Sequence, residues 1–153
     1  MTDVDLSEAP PVLGRLENWL AEQGFSLLHH VGSDPSNQYA VFGRGAAQVA
    51  VRATRGEWDI TASLDQGQNF WRVEQLEAYL ERHQWRGEQD LQWQVHFLQE
   101  RLVDVLSRFE VDPEACSELY SIGDDWMSWR LKIPIPKGGF NGRKPCVSGA
   151  KAR

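Results

Sequence analysis

The residue types able to do chemistry in this chain are scattered, and their spacing argues against most reactions. His29 and His30 are adjacent on a strand-like segment, so their rings point to opposite faces and cannot share a metal ion. His83 ends a helical pattern, where a cation suits the helix dipole, and His96 lies beside an apolar helical stripe. No H-x-x-x-H, C-x-x-C or H-x-E spacing occurs, so the sequence offers no metal site and implies no cofactor. Cys116 follows a helix start but lacks a cysteine-protease context, and it reads as a core or half-buried thiol. G-x-S-x-G, phosphate-loop and G-x-G-x-x-G patterns are absent as well.

Carboxylates are the better candidates. Glu57 and Asp59 alternate onto one face of a strand, and such pairs can do acid–base work. Catalytic carboxylates also need a concave setting, which one hairpin does not supply, and a cross-strand pairing of Asp59 with Arg52 accounts for the same residues. A second pattern sets acids beside large rings: Glu57-Trp58-Asp59, Asp65 ahead of Phe70-Trp71, and Asp124-Asp125-Trp126 with Trp129. Aromatic and charged anchors of this kind capture basic protein partners. The residues expected to meet such a partner are Glu57, Asp59, Asp65, Trp71, Asp124, Asp125, Trp126 and Trp129, with none assigned to catalysis. Trp58 itself falls on the apolar strand face and reads as core.

The elements that must position these residues are legible in part. Pro10 and Pro11 open a helix to about Gln23, with Leu13, Leu16, Trp19 and Leu20 on one face and Gly24 as its stop. Strands are expected over 25–31, 38–44 and 47–54, with dense turn chemistry from Gly32 to Asn37. A two-residue Arg55-Gly56 loop then sets Ala53 opposite Trp58, Val51 opposite Ile60, Val49 opposite Ala62, Arg52 opposite Asp59 and Thr54 opposite Glu57. Apolar meets apolar in that register, and charge meets opposite charge.

Asn69 is expected to cap a helix reaching about His83, which buries Val73, Leu76 and Leu80. The longest helix runs from about Glu88 to Phe109, its stripe Leu91, Val95, Leu98, Leu102, Val105 and Phe109 stepping by four and three. Asp104 and Arg108 can pair along it. Asp112 and Pro113 start a short helix to Tyr120, and residues 121–133 fit a helix or a strand. The expected fold is α+β: one domain over 1–133, with an antiparallel sheet of about four strands packed on one face by helices. It has an N-terminal helix and two or three C-terminal helices, followed by a flexible basic tail over 134–153.

Charge divides along the same line. Of 153 residues with net charge −6, all 22 acids precede Trp126, while the tail from Pro134 holds five Lys/Arg and no acid. An acidic body repels nucleic acid and anionic membrane and steers basic protein surfaces toward itself, so neither nucleic acid nor membrane is an expected partner. No apolar run reaches the roughly 20 residues of a membrane helix, and MTDVDLSEAPP lacks the pattern of a secretory signal. Two isolated cysteines fit a reducing cytoplasm. Seven Trp are unusual and serve cores and interfaces alike.

With the hairpin in place, Val51-Arg52, Arg55-Gly56-Glu57-Trp58-Asp59-Ile60, Phe70-Trp71 and Leu91…Gln94-Val95-His96-Phe97-Leu98…Arg101-Leu102 resemble small bacterial immunity proteins of polymorphic-toxin systems, over about residues 38–109. The absence of catalytic motifs leads to the expectation of a non-enzymatic protein, and a monomer or weak dimer is expected. The resemblance implies a cytoplasmic α+β protein that binds and blocks a cognate toxin domain. It carries over no shared binding residues. Two other readings stand beside it: an acidic secretion chaperone that dimerises and holds an effector segment along its sheet, and a hydrolase-type enzyme using the carboxylate pair.

Overall fold

In the computed structural model, which describes residues 10–34 and 37–140, the Arg55-Gly56 turn closes the hairpin in the expected register. Strands β3 (Ala47–Thr54) and β4 (Glu57–Ser63) pair antiparallel, with Ala53 opposite Trp58, Val51 opposite Ile60 and Arg52 opposite Asp59. Arg55 and Gly56 both take positive φ, at 54° and 81°. That is the backbone a two-residue hairpin loop demands, since its twist matches that of the strands. Ahead of the hairpin, β1 (Ser26–Asp34) and β2 (Asn37–Arg44) extend the sheet, and the short β5 (Trp71–Arg72) closes its far edge. The sheet has five strands in sequence order, every neighbour antiparallel.

Of the expected turn between the first two strands, Pro35 and Ser36 lie outside the described residues. Four strands were expected. The fifth is only two residues long and ends where a helix begins, too short to leave an alternating pattern.

One face of the sheet is core. Ala40, Phe42, Val49, Val51, Ile60 and Ala62 bury against helix α1 (Pro11–Glu22), through Leu13, Leu16 and Leu20, and against helix α3 (Leu91–Val111). Each fully buried leucine contributes about 2 kcal/mol. The α3 stripe is as expected, with Val95, Leu98, Leu102, Val105 and Phe109 all buried. Asp90 caps that helix by accepting from the Trp93 N–H at 2.9 Å, two residues later than the expected start.

Helix α2 (Val73–Glu81) and helix α4 (Ala115–Leu131) pack on each other beside the β5 edge. Asn69 does not cap α2. The Gln75 side chain holds its first turn instead, accepting the Arg72 backbone N–H at 2.8 Å. Residues 121–133 resolve as helix through Leu131, so the short helix expected to end at Tyr120 is one continuous α4. Asp112 turns the chain ahead of it, accepting from the Glu114 N–H at 3.0 Å.

Three further expectations change. Arg108 does not pair with Asp104, because Asp104 takes Arg101 at 3.0 Å, three residues before it. Arg108 reaches inward to Tyr79, Leu80, Asp112 and Glu118. Cys116 is not a thiol but is disulfide-bonded, and the other cysteine of the sequence, Cys146, lies outside the described residues. The disulfide removes the support that isolated cysteines lent to a reducing compartment. The first residues expected to be a flexible tail are placed: Pro134 to Phe140 turn back on α4, where the Phe140 N–H donates to Asp124 at 3.2 Å. Residues 141–153 lie outside the described part.

Candidate functional site

The eight residues singled out from sequence separate into distinct environments. Asp59, Trp71, Asp124 and Trp126 come together in one cleft of about 300 Å³, between the outer face of β4–β5 and α4. Glu57 stands exposed at the hairpin end. Asp125 faces a different hollow with Arg82, Arg108 and Glu118. Trp129 is 53 % exposed and tilts against Trp85 at 4.8 Å. The pairing of Glu57 with Asp59 therefore gains no shared concavity. Nor does Arg52 form a close ion pair with Asp59: its guanidinium lies 5.6 Å from the Tyr39 ring centre.

Two of the acids are structural. Asp65 is 0 % exposed. Its carboxylate accepts from the Ser63 hydroxyl at 2.8 Å, the Asn69 N–H at 3.0 Å and the Asn69 side-chain amide at 2.9 Å. Such a group organises the 63–69 loop and cannot meet a partner, which corrects its assignment as a contact residue. Asp124 is 8 % exposed and binds back to Phe140. Gly139 makes that approach possible: a Cβ there would stand 2.9 Å from both Asp124 carboxylate oxygens. Trp71 is equally buried, edge-on to Tyr120 at 4.9 Å.

Trp126 is engaged as well. The guanidinium carbons of Arg72 and Arg130 lie 4.8 and 5.4 Å from its ring centre, and its indole N–H donates to Glu88 at 3.2 Å. Glu88 also stands 3.6 Å from Arg130 and 4.0 Å from Arg72. The α4 cleft thus balances acids with arginines, and beyond it Trp129 is bordered by Arg130 and Lys132. This Trp-bearing surface is not the acidic one.

Asp125 carries a testable charge effect. Burial first, and then the neighbouring Asp124 carboxylate, raise its carboxyl above the usual range. The folded state therefore holds its proton to higher pH than the unfolded chain does, and stability falls as pH rises through that window. Asp125→Asn is expected to raise stability near neutral pH by less than about 1 kcal/mol, with the gain vanishing in acid. A denaturant series across pH checks it, and a loss of stability at neutral pH would contradict it.

The acid surplus concentrates on the other side of α2. Residues 73–111 carry eight carboxylates against four arginines. Glu74, Glu77 and Glu81 recur at spacings of three and four, which puts them on one face of α2. That face borders an open cleft of about 510 Å³ between α2, the 82–90 connection and α3, where Glu100, Trp93 and Phe97 also line it. Trp93 and Phe97 stack at 5.6 Å with ring planes 16° apart. Three of the glutamates are paired: Glu77 with His83 at 2.6 Å, Glu81 with Arg101 at 2.7 Å, and Glu100 with His96 at 3.2 Å.

Glu74 differs from these. It is 4 % exposed, and its Oε2 accepts the Gln89 N–H at 2.9 Å with Arg72 Nη2 at 3.8 Å. Its Oε1 meets no hydrogen-bond donor among the described residues. Gln94 is held through the same residue, donating to the Gln89 carbonyl at 2.9 Å, and its Oε1 is likewise unsatisfied.

None of these cleft residues is among those expected from sequence to meet a partner, and His83 and His96, which also line it, come up there only as candidate metal ligands. The glutamate spacing on α2 was visible there, but a charged helix face is usually solvated, and only the 82–90 connection and α3 make it a wall of a cleft. No group of His, Cys, Asp and Glu suited to a metal ion occurs among the described residues, and none of the helices described is long and apolar enough to cross a membrane. Comparison with protein families, with curated proteins and with solved structures gave no match, so any reading of function rests on the geometry of these clefts.

Proposed function

We propose that this chain is a binding protein of the immunity type, which neutralises a toxin domain by engaging its basic surface through the acidic cleft between α2 and α3. The observation that carries this reading is the composition of that cleft. Four glutamates, one of them buried, stand around a stacked Trp93–Phe97 pair. Carboxylates steer a cationic partner to the site, and desolvated aromatic rings slow its release. The resemblance over residues 38–109 to immunity proteins agrees with it. In this version the partner meets α2 and α3 rather than the Trp126 region.

The test is inhibition of a purified toxin domain encoded beside this chain. A one-to-one complex is expected, with the toxin silenced at equimolar protein and affinity falling as salt rises. Charge reversal at Glu77 and Glu81 together is expected to weaken the complex by about tenfold or more. Full toxin activity in the presence of excess protein sinks the proposal.

One observation favours a second reading, the effector chaperone. Leu28 and Val31 are exposed on β1, the edge strand of the sheet, and such an edge can accept an added strand. Mass measurement in solution separates the two: a stable dimer points to the chaperone, a monomer to the inhibitor.

A further inference from the structure

We propose that the base of the α2–α3 cleft is a guanidinium subsite, in which Glu74 receives an arginine side chain presented by the partner polypeptide. This inference rests on the binding function proposed above and names the chemistry of the partner's anchor. A buried carboxylate oxygen without a donor is costly, about 1–3 kcal/mol or more for a charged group, and native proteins leave few of them. Oε1 of Glu74 is such an atom, on a residue lining an open cleft. Its own neighbours do not satisfy it: Gln89 and Arg72 both approach the other oxygen, Oε2.

Charge and shape favour arginine over lysine. The cleft lining holds Glu74, Glu77, Glu81 and Glu100 against Arg86 and Arg101, an excess of carboxylates over guanidiniums. Arg101 is already held by Glu81 and Asp104. Trp93 and Phe97 supply flat rings on which a planar guanidinium stacks, which a tetrahedral ammonium cannot do as well. The guanidinium also offers several N–H donors in a fixed fork, so one donor can serve Oε1 while others remain for the rim. An arginine inserted here would be desolvated between rings and carboxylates, the setting in which interface arginines dominate binding.

The probe is N-acetyl-arginine amide, titrated into the full chain and followed by nitrogen–proton NMR at the Gln89 and Gly87 amides and the Trp93 indole. Saturable shifts confined to this cleft are expected at about millimolar concentration. N-acetyl-citrulline amide, the uncharged isostere, should bind at least about tenfold more weakly, as should the arginine probe to Glu74→Gln. Equal affinity for citrulline would overturn the proposal, as would shifts spread over every exposed carboxylate, which would signify counter-ion association only. Should Glu74→Gln fail to fold, the citrulline comparison on the unaltered chain still decides.

The two proposals fail separately. Arginine amide seated in the cleft, with a toxin left fully active, removes the immunity reading and keeps the subsite. A toxin silenced equally by folded Glu74→Gln removes the subsite and keeps the immunity reading.

Discussion

Asp65→Ala is expected to lose about 3–5 kcal/mol of folding stability, a large fraction of the 5–15 kcal/mol that holds a domain of this size together. The carboxylate is wholly buried and accepts three hydrogen bonds, from the Ser63 hydroxyl and from the backbone and side chain of Asn69. Hydrogen bonds to a charged acceptor contribute roughly 1.5–3 kcal/mol each, and truncation leaves their donors buried without partners. The damage spreads because the network is shared. Ser63 Oγ also accepts the Gly67 N–H at 2.8 Å, and Asn69 is held from α4 by the Tyr120 hydroxyl.

Gln66 and Gly67 both take positive φ, at 59° and 85°, so this loop needs external bonds to hold its backbone. Asp65→Asn preserves the shape but presents an N–H₂ group where an acceptor is needed, and is expected to recover only part of the loss. Urea unfolding of the three proteins measures it, through a lowered midpoint at unchanged slope. Native stability in Asp65→Ala, combined with loss of partner binding, would restore Asp65 as a contact residue.

Arg108→Ala is the second large effect, expected at about 2–4 kcal/mol. From α3 this guanidinium donates to the carbonyls of Tyr79 and Leu80, in the last turn of α2. It stands 3.8 Å from Asp112 and 3.4 Å from Glu118 of α4, and lies 4.2 Å from the Tyr79 ring centre. One side chain thus covers the negative end of one helix and ties in two others. Tyr79, fully buried, donates its hydroxyl to Asp112 at 2.8 Å.

Burial chiefly, and then the bond and charge of Asp112, push the Tyr79 phenol well above its ordinary ionisation range. Without Arg108, Asp112 keeps that bond but loses its cation, and a carboxylate left without its cation in a half-buried site is the costly outcome. Arg108→Lys is expected to rescue less than half of the loss, because one ammonium cannot reach carbonyls and carboxylates in several directions. The effect is read from thermal midpoints, and an Arg108→Lys protein as stable as the original would show that charge alone matters. Tyr79→Phe, losing one hydrogen bond, should cost about 1–2 kcal/mol.

Both residues mark where sequence reasoning stopped. Asp65 was visible as an acid leaving a strand near Phe70-Trp71, a pattern that a surface anchor and a buried loop organiser share. Arg108 had an acceptable partner four residues away on its own helix, and local spacing gave no reason to look further. Asp65 is bonded within its own loop, and it is the packing over that loop that buries it. For Arg108 the deciding contacts come from elsewhere in the fold, from α2 and α4. The same holds for Trp126, which adjacent acids suggested as an anchor, but which Arg72, Arg130 and Glu88 occupy.

What the sequence by itself determined is the local pairing and periodicity. The β3–β4 register, the Arg55-Gly56 turn, the span of α1 and the buried stripe of α3 each follow from residues near one another, through alternation, turn backbone and helical repeat. The acid–base division of the chain was equally plain. Only the tertiary structure decided which acids are buried and which face a cleft. Burial depends on what packs across from a residue, and a carboxylate between α2 and α3 differs from one on a solvated helix only through its distant neighbours. Glu74, one of several glutamates in the sequence, becomes a buried carboxylate with one oxygen bonded and the other unsatisfied because the 82–90 connection brings the Gln89 N–H to Oε2 alone.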